Sequence, residues 1–300
     1  MSPILVVGSV AFDTLHNAQG SFPRVLGGSA VYASICASLL SQVRLVGVVG
    51  NDYPESATSM LSGRGIDLTG LEVAAGETFH WEGRYTDDLT SRESIRTELN
   101  VFAEFQPKIP PAFAESPFVM LANIQPDLQI SVLDQIRAPQ LVVADTMNLW
   151  IDIARPALER LLKRVDVLII NEEEARQLTG RHHLVEVQRA LLELGPTTVI
   201  VKQGEYGAWL FQPGIAFHAP AFPLESVVDP TGAGDSFAGG FLGYLAREND
   251  ITLPTLRRAV VVGSALASYC VEGIGPSRLV EVTMADVDAR VAAFGDLVRV

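Results

Sequence analysis

Residues 229–240 read DPTGAGDSFAGG. Gly232, Ala233 and Gly234 carry almost no side chain, so their backbone N–H groups can approach a ligand closely. A helix-forming run follows at once, through Ser236, Phe237, Phe241, Leu242, Tyr244 and Leu245. A glycine turn that feeds a helix N-terminus is an anion site. Free N–H groups and about half a positive charge of macrodipole converge there. Asp235 lies inside that positive field. A carboxylate beside a phosphate-sized anion hole is the arrangement of a general base next to a transferring phosphoryl group. The plainer alternative is a helix start in which Asp235 is only a favourable first-turn charge. The length of the D-P-T-G-A-G-D string favours the chemical reading.

Further polar residues stand where strand-like runs end. Asn171 and Glu174 follow the aliphatic run 167–170, and Lys202 and Gly204 follow 198–201. Asn123 and Gln125 follow 119–122, and Asp13 follows the first run, 4–7. Open α/β sheets bind ligands at the carboxyl ends of their strands. Each position also has a structural alternative. Glu172, Glu173 and Glu174 suit an acidic first helical turn, Gly204 suits a hairpin turn, and Asn123 suits capping of the next helix. His182 and His183 are adjacent, so their side chains diverge and do not make a metal pair. No G-x-x-x-x-G-K-[ST] string exists, which excludes a P-loop.

The elements that must position these groups follow from periodicity. Short runs apolar on both faces (4–7, 43–49, 118–121, 141–144, 167–170, 198–201) alternate with amphipathic segments (30–40, 54–62, 128–136, 155–163, 172–178, 184–194). Doubly buried strands separated by helices predict a mainly parallel sheet covered on both sides. Residues 77–102 break the rhythm. Phe79, Trp81 and Tyr85 fall on one face and Thr78, His80, Glu82 and Arg84 on the other, which predicts exposed antiparallel strands. Residues 11–25 form a second irregular insert. The chain is 48% hydrophobic and 19% charged, enough for a large core, and its net charge of −13 argues against nucleic acid or an anionic membrane as partner. Two cysteines, Cys36 and Cys270, in apolar stretches read as buried reduced thiols. With no signal-peptide pattern at the start, a cytoplasmic location is expected.

Taken in chain order, Gly27-Gly28, the N-x-x-E of Asn171 and Glu174, and the run 229–235 resemble the signatures of the ribokinase family, also called the PfkB carbohydrate kinase family. The resemblance covers essentially the whole chain. It implies a single domain, residues 1–300, with a three-layer α/β/α fold, a mainly parallel central sheet and a small β-sheet lid built from about 11–25 and 77–102. It implies Asp235 as catalytic base and Gly232, Ala233 and Gly234 as the anion hole. Asn171 and Glu174 would organise Mg²⁺ and the ATP phosphates, largely through water. Lys202, Gly204 and Thr231 would lie along the nucleotide and Gly263 in the adenine pocket, where helix packing explains a glycine equally well. Asp145 to Asn148 resembles the family's D-x-N region beneath the phosphates. Asp229, with Thr231, would meet a monovalent cation, K⁺. Asp13, Gly27, Gly28, Ser29 and Asn123 would face the substrate. Tyr32 departs from the pattern, standing where the family usually has an asparagine that binds a substrate hydroxyl.

The implied activity is ATP-dependent phosphorylation of an alcohol on a small sugar or cyclitol. A nucleoside kinase of the same family is the alternative, with Trp81 or Tyr85 serving the base. A non-catalytic ligand-binding protein on the same scaffold is a third reading. The lid implies a homodimer.

Overall fold

The computed structural model describes residues 1–89 and 91–297; residue 90 of the expected lid segment and residues 298–300 lie outside the described residues. In chain order, β1 (Ile4–Val7) leads into the hairpin β2 (Ala11–Asn17) and β3 (Gly20–Gly27), then α1 (Ser29–Ser38), β4 (Val43–Val49), α2 (Glu55–Gly63), β5 (Ile66–Val73), β6 (Phe79–Tyr85) and β7 (Arg92–Glu98). Next come β8 (Phe118–Leu121), α3 (Pro126–Leu133), β9 (Leu141–Asp145), α4 (Asn148–Ile153), α5 (Arg155–Leu162), β10 (Val167–Asn171), α6 (Glu172–Thr179), α7 (Leu184–Glu193) and β11 (Thr198–Lys202). The hairpin β12 (Ala208–Gln212) and β13 (Ile215–Ala219) precedes α8 (Ala233–Glu248), α9 (Leu253–Cys270) and α10 (Met284–Leu297).

Nine strands form one sheet in the order β13-β12-β11-β10-β9-β8-β1-β4-β5. Every neighbouring pair from β5 to β11 is parallel, and β12 and β13 add antiparallel. Alternation along the strands divides the core. Ile4, Val6, Phe118 and Met120 pack with α1, α8 and α9 on one face, while Leu5, Val7, Val119 and Leu121 pack with α3, α5, α6 and α7 on the other. Apolar runs without a polar face therefore become strands sandwiched between helices. Among the described residues no helix is long and apolar enough to cross a membrane.

Three strands run one residue further than hydrophobicity alone predicts. β9, β10 and β11 end on Asp145, Asn171 and Lys202, and Asn171 and Lys202 are register partners. The ladder thus carries each aliphatic run into a polar residue at the ligand-binding edge of the sheet.

The second sheet has the order β3-β2-β6-β7. The 77–102 segment forms the expected antiparallel strands, the β6–β7 hairpin, and β6 joins the antiparallel β2–β3 hairpin by a parallel pairing with β2. The irregular insert at 11–25 is that first hairpin. Side chains alternate as the sequence predicts. The outer face carries a polar network, with Thr14 Oγ1 2.9 Å from His80 Nε2, His16 Nε2 3.0 Å from Glu82 Oε1, and Arg96 between Glu82 and Glu98. The inner face carries Asp13, Trp81 and Tyr85. Two hydrogen bonds join this small sheet to the segment before α8. The Tyr85 and Thr231 hydroxyls lie 2.9 Å apart, and Asn17 Nδ2 donates to the Val228 carbonyl (3.0 Å).

Candidate active site

Gly232 caps α8 in the left-handed region (φ 77°), and no side chain caps this helix. The Ala233 N–H turns back to Pro230 O (3.2 Å) and the Ser236 N–H makes the first helical bond, to Gly232 O (2.8 Å). The amides of Gly234 and Asp235 between them have no backbone acceptor among the described residues; the Asp235 amide is met by its own carboxylate, which leaves the Gly234 amide for an anion. Glycine is required at 232, and at 234 it leaves room for a lysine. A Cβ on Gly232 would overlap the Tyr32 ring, and one on Gly234 would come within 2.7 Å of Lys202 Nζ. The second contact places an ammonium group directly at the anion turn. The loop before the helix is closed by Asp229, whose carboxylate accepts the Thr231 N–H (2.9 Å) and the Gly275 N–H (3.1 Å). Closing the loop is therefore one task of Asp229.

Around the turn lies a cluster of buried charge. Lys202 Nζ stands 3.4 Å from Asp145 Oδ2. Burial alone would push the Lys202 ammonium down, but Asp145, Glu174 and Asp235 together hold it above its ordinary value. Burial pushes the Asp235 carboxyl up, and Asp145 adds to that, while Lys202 and Arg92 oppose it. Glu174 is pushed up to about 7 by burial first and Asp145 second. A base whose affinity for a proton is raised toward neutrality is matched to taking one from an alcohol.

Asn171 and Glu174 form a capping box on α6. Asn171 Oδ1 accepts the Glu174 N–H (2.8 Å), and Glu174 Oε2 accepts the Asn171 N–H (3.0 Å). The structural alternative read from the sequence is thus realised. The box uses one oxygen of the Glu174 carboxylate. Among the described residues no three His, Cys, Asp or Glu side chains are grouped to hold a metal ion.

On the lid side, Asp13 is buried, and burial with the charges of Asp229 and Asp235 pushes its carboxyl up to about 7. Gly27 exists to admit it: a Cβ there would overlap the Asp13 carboxylate. Gly28 (φ 99°) caps α1, and a Cβ would strike the Ser9 carbonyl. Tyr32 is fully buried beneath Gly232, and its hydroxyl has no hydrogen-bond partner among the described residues. The ring supports the anion turn from below.

Several expected site residues have other duties. Ser29 bonds the Ser9 hydroxyl (3.0 Å) and backbone N–H, fastening α1 to the β1–β2 turn. Asn123 Oδ1 accepts from Trp150 Nε1 (2.9 Å), and Asn148 donates to Gln177. Gly204 lies in the β11–β12 hairpin turn with φ 57°. Gly263 meets the packing alternative read from the sequence. It lies mid-helix in α9, where a Cβ would meet the Phe237 carbonyl at 2.7 Å, so it serves the α8–α9 crossing. Sequence reasoning missed Arg92. It begins β7 directly opposite Tyr85, and only the cross-strand register reveals that neighbour.

The sequence profile of pfkB family carbohydrate kinases matches residues 1–282. The chain is 29% identical over 253 residues to a cytidine kinase of Thermococcus kodakarensis, covering 82% of this chain and 90% of that one. It superposes on the nucleoside kinase of Methanocaldococcus jannaschii with a TM-score of 0.80 at 20% identity, over 98% and 99% of the two chains. A Vibrio cholerae fructokinase double mutant bound to fructose, ADP and potassium gives a TM-score of 0.82 at 20% identity, over 97% and 98%. With the glycine turn, the buried carboxylate beside it and the lid all in place, the chain belongs to the PfkB carbohydrate kinase family, phosphotransferases that act on alcohol groups of sugars and nucleosides.

Proposed function

We propose that this kinase transfers the γ-phosphoryl group of ATP to a hydroxyl of a ribonucleoside. The observation that carries the choice of nucleoside over free sugar is the inner face of the lid. Trp81 is the register partner of Asp13 there, and its indole lies over Gly83, where a Cβ would overlap the six-membered ring. A carboxylate for a ribose diol and a flat aromatic surface for a base stand side by side. Aromatic surfaces stack on nucleobases with about 1–3 kcal/mol each. The cytidine kinase relative supports the same reading.

Asp235 takes the proton of the acceptor hydroxyl. The Gly234 amide at the head of α8 and the Lys202 ammonium hold charge on the phosphoryl oxygens. Phosphoryl transfer needs chiefly positioning and charge stabilisation, and the turn supplies both. Mg²⁺ fits the nucleotide side as a hard ion that keeps several waters. The free Glu174 oxygen and the Asn171 amide would hold its water shell, and the ion would neutralise phosphate charge. K⁺ beside Asp229 and Thr231 belongs to the same proposal, as does a homodimer through the lid.

The test is ADP release with Mg-ATP across nucleosides, pentoses, hexoses and cyclitols, repeated with Na⁺ for K⁺. Nucleosides are expected to give the highest kcat/KM. Trp81→Ala is expected to raise KM for a nucleoside at least 10-fold and leave free sugars unchanged. Preference for a free sugar or cyclitol would overturn the nucleoside reading, and silence across the panel with ATP still bound would favour a non-catalytic binding protein.

A further inference from the structure

We propose that Arg92, carried by the lid, is a catalytic residue of this kinase that binds the γ-phosphoryl oxygens of ATP and holds their charge during transfer. The inference rests on the phosphotransferase chemistry of the site and is independent of which alcohol accepts the group.

The placement follows from the ladder. Arg92 and Tyr85 are directly opposite partners on antiparallel strands, so their side chains share one face. That face is fixed by Tyr85, whose hydroxyl reaches Thr231 at the head of the anion loop (2.9 Å). Arg92 therefore enters the cleft beside the glycine turn. Its guanidinium lies 5.7 Å from the centroid of the Trp81 ring on the same inner face, so it points back over the cleft and not along the outer network of His16, His80, Glu82, Arg96 and Glu98. Arg92 is exposed, and the groups it meets, the Tyr85 hydroxyl and the Trp81 ring, hold it on this inner face.

Its charge is felt on both sides of the reaction. Burial raises the carboxyls of Asp13 on the acceptor side, Glu174 on the nucleotide side and the base Asp235, and the Arg92 charge offsets a small part of that rise in each. The register with Tyr85, whose hydroxyl meets Thr231, puts this cation on the lid face that looks onto the anion loop. The other cation of the cleft, Lys202, is paired with Asp145 at the floor. An ATP γ-phosphate would thus meet Lys202 from the body and Arg92 from the lid. The planar guanidinium can donate two parallel hydrogen bonds to two phosphoryl oxygens. As the acceptor oxygen forms its new bond to phosphorus, the bond from phosphorus to the β,γ-bridging oxygen breaks. That electron pair leaves with ADP, and the acceptor proton passes to Asp235. Arg92 gives up no proton and compensates the charge of the moving group.

The test compares binding of Mg-AMP-PNP and Mg-ADP by calorimetry in wild type, Arg92→Ala and Arg92→Lys, with no acceptor present. Arg92→Ala is expected to weaken AMP-PNP at least 10-fold while ADP changes less than 2-fold. Arg92→Lys, which keeps charge without the fork, should recover part of the loss. With the acceptor found in the panel above, Arg92→Ala should also lower kcat at least 10-fold. Unchanged AMP-PNP affinity, or equal losses for AMP-PNP and ADP, would overturn the proposal, whichever acceptor the enzyme uses.

Discussion

The two sheets place reactive groups by different means. In the nine-stranded body, Asp145, Asn171 and Lys202 close parallel strands whose other residues are buried on both faces. Moving one of them means moving a strand through a close-packed core. In the four-stranded lid, Asp13, Trp81, Tyr85 and Arg92 are placed only by cross-strand register, and most of β7 is exposed. Tyr85 and Asn17 tie the lid to the segment before α8 through one hydrogen bond each. Groups that need a fixed charge geometry sit on the rigid sheet. Groups that must admit and release a substrate sit on the lightly tethered one.

Damage to the body site should therefore cost most. Asp235→Asn is expected to lower kcat by roughly 10²–10⁴, the usual worth of a general base, with the fold intact. The wild-type rate should climb with pH as the raised Asp235 carboxyl loses its proton, and that limb should vanish in the variant. Near-wild-type turnover in Asp235→Asn would remove the base from the mechanism. Gly232→Ala should lose both activity and stability. It forces φ 77° on a residue with a Cβ, and that Cβ enters the Tyr32 ring. The strain alone costs on the order of 1–3 kcal/mol. A thermal melt checks it, and Tyr32→Ala in the same chain should restore part of the loss by making room.

The sequence exposed the body more fully than the lid, for physical reasons. Runs such as Ile4–Val7 and Phe118–Leu121 are apolar on both faces, so their strand identity and their polar successors are local properties. The run from Asp229 to Asp235 was legible because proline fixes φ and glycine alone readily takes the left-handed turn found at 232. By contrast, β5, with Asp67, Thr69 and Glu72, reads as polar although it pairs with β4. Whether β6 pairs parallel or antiparallel with β2 depends on residues 68 positions apart, and no local pattern carries that. Arg92 was invisible for the same reason. The duties of Ser29 and Gly263 depend on the partners each meets in the folded chain, Ser9 for one and Phe237 for the other.

The buried acids also set a stability cost that the comparison can sharpen. Asp13 has a folded-state value of about 7 against an ordinary 3.8. The folded protein holds that proton more tightly than the unfolded chain does. The neutral carboxyl therefore contributes stability in full below about pH 4 and loses it as pH rises through 7. Glu174 acts with the same sign in the body. The ligand-free protein should melt lower at pH 8 than at pH 5, other titrations being common to both forms. Asp13→Asn should narrow that gap by relieving the lid side, while Glu174→Gln should narrow it from the body side but lose the capping-box acceptor charge. An unchanged gap in Asp13→Asn would mean that Asp13 is ionised at no cost in the folded lid.

The smallest effect, and the most direct probe of the tether, is Tyr85→Phe. The ring keeps its packing and only the hydroxyl that meets Thr231 is lost. A neutral hydrogen bond contributes about 0.5–1.5 kcal/mol net, so closure should weaken by roughly 2- to 12-fold. A residue acting only through packing would leave kinetics unchanged. A tether that seats Arg92 predicts weaker AMP-PNP binding with unchanged ADP binding, the pattern of Arg92→Ala on a reduced scale. Thr231→Val removes the same bond from the body side, and the double variant should then be no worse than the worse single one. Full additivity of the two substitutions would show that the hydroxyls act separately, and the lid would then owe its closed position to its other ties, among them Asn17 to Val228 and Arg24 to Asp52.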